Sequence, residues 1–415
     1  ILIVLTGAPL FLAIGIGTVA SVTYIQDLDA ALVAKDMFEA VKKEELLAIP
    51  FFILAGELMN SGGLSKRIID FAIACVGHIR GGLGIVAIFA ALIMASISGS
   101  AAADTAALAA ILIPMMAKAG YNIPRSGGLI AAGGIIAPVI PPSMAFIVFG
   151  VAANVSITQL FMAGIFPGIL MAVSLIITWL IVVRKDNVQA LPKTTYKERL
   201  HATGRAAWAL GMPVIILGGI KIGIVTPTEA AVVAAVYAMF VGMVIYKELK
   251  PRDLPHVILQ AAKTTSVIMF LVCAALVSAW LITAANIPAE IAGYIEPLID
   301  RPTLLMFVIM ILVLVVGTAL DLTPTILILT PVLMPIIKQA GIDPVYFGVL
   351  FIINNSIGLI TPPVGVVLNV VSGVGRIPLG KVTAGVWPFL LAQSLVLFLL
   401  VLFPDLVIVP ARWLH

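Results

Sequence analysis

The chain has 415 residues and a formal net charge of +4, with 62 % apolar and only 11 % charged residues. Its mean hydropathy of +1.19 excludes a set of soluble domains, whose surfaces run near a quarter charged. The apolar runs are continuous rather than alternating, which excludes a β-barrel and leaves an all-α polytopic membrane protein with room for roughly ten to fourteen crossings.

Residues 1–20 read as one span. The chain opens at Ile1 inside an apolar run and without methionine, so a preceding segment is expected. Neither a charged n-region nor a cleavage site marks a signal peptide. Residues 28–45 carry Lys35, Asp36, Glu39, Lys42, Lys43, Glu44 and Glu45 and suit a helix lying at the interface. Apolar helices follow over 46–60 and 64–78. Segments 82–97 and 104–118 flank Ser98-Gly99-Ser100. The stretch 126–155 is broken by Pro138, Pro141 and Pro142. A long span covers 160–183. Residues 184–205 hold Arg184, Lys185, Lys193, Lys197, Arg199 and Arg205, the richest basic loop, which places it in the cytoplasm. Two spans, 206–223 and 228–246, bring the chain back to Lys247, Lys250 and Arg252, so both basic loops fall on one side.

The second half repeats the first. A shift of 221 puts Pro114 on Pro335, Ala119-Gly120 on Ala340-Gly341, Pro141-Pro142 on Pro362-Pro363, and Pro167 on Pro388. Arg80 falls on Arg301 and Ser100 on Asp321. Each repeat runs apolar segment, polar break, apolar segment, loop, then a helix split by Pro-Pro. The segments beside each break are short for a span, so 82–118 and 303–338 read as re-entrant hairpins. Unwound backbone at membrane depth is tolerated only where protein buries it or it lines a cavity. Interrupted segments at matching positions of two halves point to a transporter binding site.

Four polar groups carry the chemistry. The hydroxyls and free carbonyls of Ser98-Gly99-Ser100 are hard oxygen ligands suited to a small cation; small residues here also suit a close helix contact. Asp104 reads as a cap on the helix after the tip. Asp321, in Leu320-Asp321-Leu322-Thr323-Pro324-Thr325, costs about 2.5–3.5 kcal/mol on insertion scales and reads as functional, with an N-cap before Pro324 as the plainer role. Each Pro-Pro removes amide donors, and the freed carbonyls, with the Thr361 hydroxyl, can coordinate Na⁺. Asn354, Asn355 and Ser356 bind substrate or water, or tie helices together. Glu57 is a lone carboxyl in an apolar helix with no assigned role. Thr226-Pro227-Thr228-Glu229 fits a capping box.

Enzyme chemistry has little support. Cys75 and Cys273 sit in apolar segments, outside any disulfide or metal pattern. The four histidines lie in or beside loops without metal spacing. Ser96-Ile97-Ser98-Gly99 faintly matches an intramembrane serine protease site but lacks a histidine base on a neighbouring span. No basic block marks a nucleic-acid surface.

Together, SISGSAAADTAALAAILIPMMAKAGY at 96–121, GGIIAPVIPPSMAFIVFG at 133–150, GIVTPTEAAVVAAVYA at 223–238 and LDLTPTILILTPVLMPIIKQAGIDPVYFGVLFIINNSIGLITPPVGV at 320–366 resemble the large membrane subunit of the tripartite ATP-independent periplasmic (TRAP) transporters. The resemblance implies a fold of two inverted repeats with elevator motion, in the bacterial inner membrane. It implies coupling to two or more Na⁺ ions. One ion would sit at Ser98, Ser100 and the carbonyls around Ala137, Ile140 and Pro142, and a second at Asp321, Thr361, Pro363 and Gly365. Substrate contacts are expected at Ser98, Ser143, Asn354, Asn355 and Thr361. The implied partners are the lipid bilayer, a periplasmic substrate-binding protein and a small four-helix membrane subunit, sometimes fused ahead of the large one, which suits the start at Ile1. The expected substrate is an organic acid, sialic acid before C4-dicarboxylates. A stand-alone Na⁺-coupled dicarboxylate symporter of the same superfamily is the alternative. The expected division is scaffold and interfacial helix at 1–80, first transport repeat at 81–155, scaffold and arms at 156–300, second transport repeat at 301–375, and a C-terminal scaffold helix at 376–415.

Overall fold

The computed structural model describes residues 15–17, 20, 35, 37–39, 42–186, 188–284 and 298–414. The expected span at 1–20 and most of the interfacial helix at 28–45 lie outside them. The described residues are helical throughout, with no strand among them. The helices are α1 (Ala48–Ser61), α2 (Leu64–Val76), α3 (Gly82–Ser98), α4 (Ala101–Lys118), α5 (Ile123–Gly134), α6 (Met144–Ala153), α7 (Ile157–Val182) and α8 (Tyr196–Lys221). They continue with α9 (Pro227–Phe240), α10 (Leu254–Ala284), α11 (Pro302–Gly317), α12 (Leu322–Gln339), α13 (Pro344–Gly358), α14 (Val366–Gly375), α15 (Leu379–Leu402) and α16 (Asp405–Leu414).

The face carrying the basic loops can be followed through its contacts. Arg80, just before α3, donates to the carbonyls of Arg184 and Asp186. Past the end of α4, the Gln189 amide donates to the Ala119 carbonyl at 3.1 Å. Arg125, at the start of α5, pairs with Asp186 at 2.8 Å. Both feet of the α3–α4 hairpin therefore stand on one face, and its tip points inward. Trp179 on α7 locks those feet. Its indole N–H donates to the Gly81 carbonyl at 2.7 Å. Its ring stacks on Tyr121, with centroids 5.9 Å apart, and fills the place where a Cβ on Gly84 would sit.

Helices α5 and α6 form a broken crossing. At 1.5 Å per residue, α5 reaches about 18 Å from the basic face and α6 continues for about 15 Å. The break over 135–143 therefore lies about halfway across. The second repeat runs the other way. Its α14 ends at the basic face, where Gly375 packs on Ile113 of α4 and Ile377 reaches Gly127 of α5. Tyr346, in the first turn of α13, reaches the carbonyl of Leu400 at 3.0 Å, near the far end of α15. The α11–α12 hairpin thus enters from the opposite face, and the repeats are inverted. They interlock: α4 packs on α14, and α12 packs on α6.

Seven described helices are long and apolar enough to cross alone. Two of these, α4 and α12, are hairpin arms, so length by itself miscounts the crossings. The repeat register also slips. Ser100 and Asp321 cap α4 and α12, and Asn122 and Asp343 cap α5 and α13, each pair 221 apart. Ser143 and Gly365, which precede α6 and α14, are 222 apart.

Three segments are placed more closely than the sequence places them. The segment 64–78 is helical as expected, and α2 bends 63° from the preceding helix. Its first residues lie by Gly242 and its last by Thr194, whose hydroxyl donates to the Ala74 carbonyl. Both neighbours are on the basic face, and the charged face of α2 (Lys66, Arg67, Asp70) suits an interfacial helix. Arg67 holds the bend, pairing with Glu248 at 2.8 Å and lying over the Tyr246 ring. Second, the basic loop is shorter than 184–205, because α8 begins at Tyr196. A capping box between Thr195 and Glu198 starts it there, supplying two of the amide partners a helix start lacks. A second such box, at Thr226 and Glu229, starts α9 as the sequence suggested.

The third concerns α7 and α15, expected from the sequence to be scaffold. They pack closely on the hairpin body. Gly385 of α15 lies against the Pro124 carbonyl of α5 so closely that a Cβ would stand 2.0 Å from it, and Gly128 meets the Gly385 backbone in return. Gly164 of α7 likewise approaches the Val139 carbonyl of the first break. Small residues permit such backbone contact, and their packing role was hidden in sequence. The outer layer is α1, α2, α8, α9 and α10, with α1 against α9 its most extensive contact.

Trp179 is 1 % exposed. Trp179→Ala is expected to lower unfolding stability by about 3–5 kcal/mol, the usual scale for a deleted core aromatic. Trp179→Phe should keep most of that packing and lose about 1 kcal/mol with the hydrogen bond. Thermal unfolding of the purified protein checks both.

Candidate functional site

The first hairpin tip is built from small residues. α3 ends at Gly99, which takes the left-handed conformation with φ 60°. Ser100 then caps α4, its hydroxyl accepting from the Ala103 amide. A side chain at Gly99 is doubly excluded: left-handed backbone costs an L-residue roughly 1–2 kcal/mol, and a Cβ would stand 2.8 Å from the Pro142 carbonyl. The tip is therefore seated on the proline break of its own repeat. Gly134, at the other edge of the break, packs on Thr105 and the Ala101 carbonyl of α4.

The break leaves backbone oxygen unpaired. Across 135–143, amides donate to the carbonyls of Ala131, Gly133, Gly134 and Ile136, and the Ser143 hydroxyl donates to the Pro138 carbonyl. No amide among the described residues donates to the carbonyls of Ala137, Ile140 or Pro142. A buried carbonyl without a donor is rare and calls for a partner. Ala137, Ile140, Pro142, Ser98 and Ser100 thus belong to one neighbourhood, with the whole break sealed from solvent.

Asp104 is what sequence reasoning missed. It was read as a cap, but Ser100 fills that position. Asp104 lies one turn further along α4 at 0 % exposure and accepts a hydrogen bond from the Ser98 hydroxyl. Its second oxygen has no partner, and neither does the adjacent Thr105 hydroxyl. The available signal was an acidic residue four positions after a hairpin tip.

The second repeat differs. Asp321 caps α12 by accepting from the Leu322 amide at 2.8 Å and is otherwise exposed. No hydrogen bond joins it to Thr361, Pro363 or Gly365. The Thr361 hydroxyl donates to the Ile357 carbonyl at 2.8 Å. The Gly365 carbonyl already accepts from the amides of Leu368 and Asn369, because Gly365 starts α14. Pro363 and Val364 are exposed, so the second break is open where the first is sealed.

Three of the expected substrate contacts also have structural partners, while the side-chain oxygens of Asn354 and Asn355 and the Ser356 hydroxyl are buried without one. Asn354 donates to the Met310 carbonyl of α11, and Asn355 to the Leu322 carbonyl of α12 at 3.2 Å. Both are fully buried and bind α13 to the second hairpin, beside the close approach of Gly317 to Gly358. Ser143 is also buried, donating to Pro138 and accepting from the Phe146 amide. Half-buried Thr361 and 4 %-exposed Ser98 remain beside the breaks. Glu57 follows Gly56, which packs on Ser98, and forms no ion pair among the described residues.

This geometry has counterparts. The chain is 53 % identical over 409 residues to the 2,3-diketo-L-gulonate TRAP transporter large permease protein YiaN of Escherichia coli, covering 99 % of this chain and 96 % of the relative. It is 40 % identical to the sialic acid TRAP transporter large permease protein SiaM of Vibrio cholerae, over 90 % of this chain and 87 % of the relative. The YdaH transporter of Alcanivorax borkumensis shares the fold, with a TM-score of 0.64 at 16 % identity, over 90 % of this chain and 87 % of that one. The family described as the DctM component of the tripartite ATP-independent periplasmic transporter matches residues 1–406. The chain belongs to that family: it is a transporter permease rather than an enzyme, and of its large-subunit type.

Proposed function

We propose that this permease carries an organic acid anion across the bacterial inner membrane by symport with Na⁺, receiving it from a periplasmic binding protein and working beside a small membrane subunit. The observation that carries the reading is the first hairpin tip seated on a proline break whose carbonyls lack donors. Hard oxygen ligands gathered at a sealed break fit a small monovalent cation and offer little to a softer metal. Ser98, Ser100, Ala137, Ile140 and Pro142 would hold one ion. Asp321, Thr361 and Pro363 would hold another, with Gly365 contributing less because its carbonyl is engaged. Bound there, Na⁺ would neutralise carboxylate charge and so favour an anionic substrate nearby.

The chain's own residues supply the rest. The breaks expose helix ends, and the N-termini of α4 and α12 favour negative charge. The open second break, with Thr361 at its edge, gives the anion an approach that the sealed first break does not. The relative named for 2,3-diketo-L-gulonate is more similar than the one named for sialic acid, so the favoured substrate moves from sialic acid to a smaller polyhydroxylated monocarboxylate. In this reading the moving body comprises both hairpins, both broken helices, and α7 and α15. The outer helices remain fixed, and the body slides against them as an elevator.

Uptake into proteoliposomes is expected to require an inward Na⁺ gradient, and Asp321→Ala should abolish it without loss of folded protein. Na⁺-independent uptake, or normal transport by the variant, would contradict the proposal. In a competition assay, excess 2,3-diketo-L-gulonate should suppress uptake of a labelled sugar acid more strongly than succinate does. The reverse order would point to a dicarboxylate carrier.

A further inference from the structure

Asp104 is the only charged side chain among the described residues that is fully buried. It has no lysine, arginine or histidine partner among the described ion pairs. One carboxyl oxygen accepts from Ser98, while the other is unpartnered, as is the Thr105 hydroxyl beside it. An ionised carboxylate in such a place costs several kcal/mol unless a cation compensates it. The Ser98 hydroxyl supplies one hydrogen bond and no charge.

The repeat gives a second, independent observation. Under the 221 shift, Ser100 falls on Asp321 and Asp104 falls on Thr325. Within each pair the two positions are four apart, hence on one face of the helix. The turn is built alike in both repeats. The Asp104 amide donates to the Ser100 carbonyl at 3.1 Å, and the Thr325 amide to the Asp321 carbonyl at 3.2 Å. Repeat one reads hydroxyl then carboxyl, and repeat two reads carboxyl then hydroxyl. Each repeat therefore carries one carboxylate in this turn, exchanged between its two positions. A capping role alone would not place the acid one turn inside the helix, sealed from water, with an oxygen left over.

We propose that Asp104 supplies the negative charge of the first cation site, the part that Asp321 takes in the second, so that the protein holds one carboxylate for each of the two ions. The assignment rests on the Na⁺ reading above and adds the residue that makes the first site charge-neutral when filled. It also gives the Ser98–Asp104 hydrogen bond a purpose: it turns the hydroxyl lone pairs of Ser98 away from the carboxylate, and with one accepting from the Ser100 amide at 3.2 Å the other is left as a ligand.

The test is thermal unfolding of the purified full chain, titrated with NaCl against choline chloride. Every variant is made with Asp321→Ala, so that the response reports the first site. The parent should be stabilised by Na⁺. Asp104→Asn keeps an oxygen to accept from Ser98, so it should unfold near the parent in choline chloride yet need at least about tenfold more Na⁺ for half its effect, the scale of one charge-assisted contact. Ser100→Asp with Asp104→Thr copies the second repeat and should recover most of the Na⁺ response. This double variant decides the matter if Asp104→Asn does not fold. An Asp104→Asn midpoint equal to the parent's, or a double variant as unresponsive as Asp104→Asn, would overturn the assignment. A parent indifferent to Na⁺ would instead overturn the Na⁺ reading beneath it.

Discussion

In hydrocarbon no water is present to satisfy a peptide carbonyl, and each unsatisfied group costs several kcal/mol. Most of this protein meets that constraint with helix. At two places it does not, and the rest of the architecture is arranged around them. Pro141-Pro142 and Pro362-Pro363 interrupt crossings about midway and release carbonyls that no amide satisfies. The first interruption is closed by a hairpin tip that only glycine can complete, since Gly99 abuts the Pro142 carbonyl. The hairpin's feet are then held by Trp179, Arg80 and Arg125 on one face. Oxygen atoms without donors are thus held about midway across, where the proposed symport would place an ion.

Inversion of the repeats gives the site two unequal halves. The first is sealed, with buried Asp104 and Ser98 behind the tip. The second is open at Pro363 and Val364, with an exposed Asp321. A membrane permeability barrier requires that a site not open to both sides together, and one closed half with one open half meets that requirement. The packing of α4 on α14 and of α12 on α6 joins the two halves.

Much of this was legible in the sequence because proline and glycine act locally. The Pro-Pro pairs, the Ser98-Gly99-Ser100 tip and the capping residues each dictate backbone within a turn, and their spacing exposed the repeat. What stayed hidden depended on partners distant in the chain. The bend before α2 leaves no mark in the hydropathy, and only its contacts with Gly242 and Thr194 place both its ends by the basic face. Gly164 and Gly385 read as ordinary helix glycines until the carbonyls of Val139 and Pro124 appear against them. Asp104 looked like a cap because sequence does not reveal which neighbour a side chain meets. Asn354 and Asn355 leave two readings open in the sequence; their amide nitrogens tie helices through the carbonyls of Met310 and Leu322, and their side-chain oxygens stay unpartnered.

In the proposed elevator, both tips and both breaks form one rigid body set against an outer layer. Distances between spin labels in the reconstituted protein test this arrangement. Lys118 and Arg376 end elements of the body on the basic face, and Lys250 lies on the outer layer at the same face. The Lys118–Arg376 distance should stay constant when Na⁺ and substrate are added, while Lys118–Lys250 takes on a second value. A Lys118–Arg376 distance that changes on its own would rule out a single moving body.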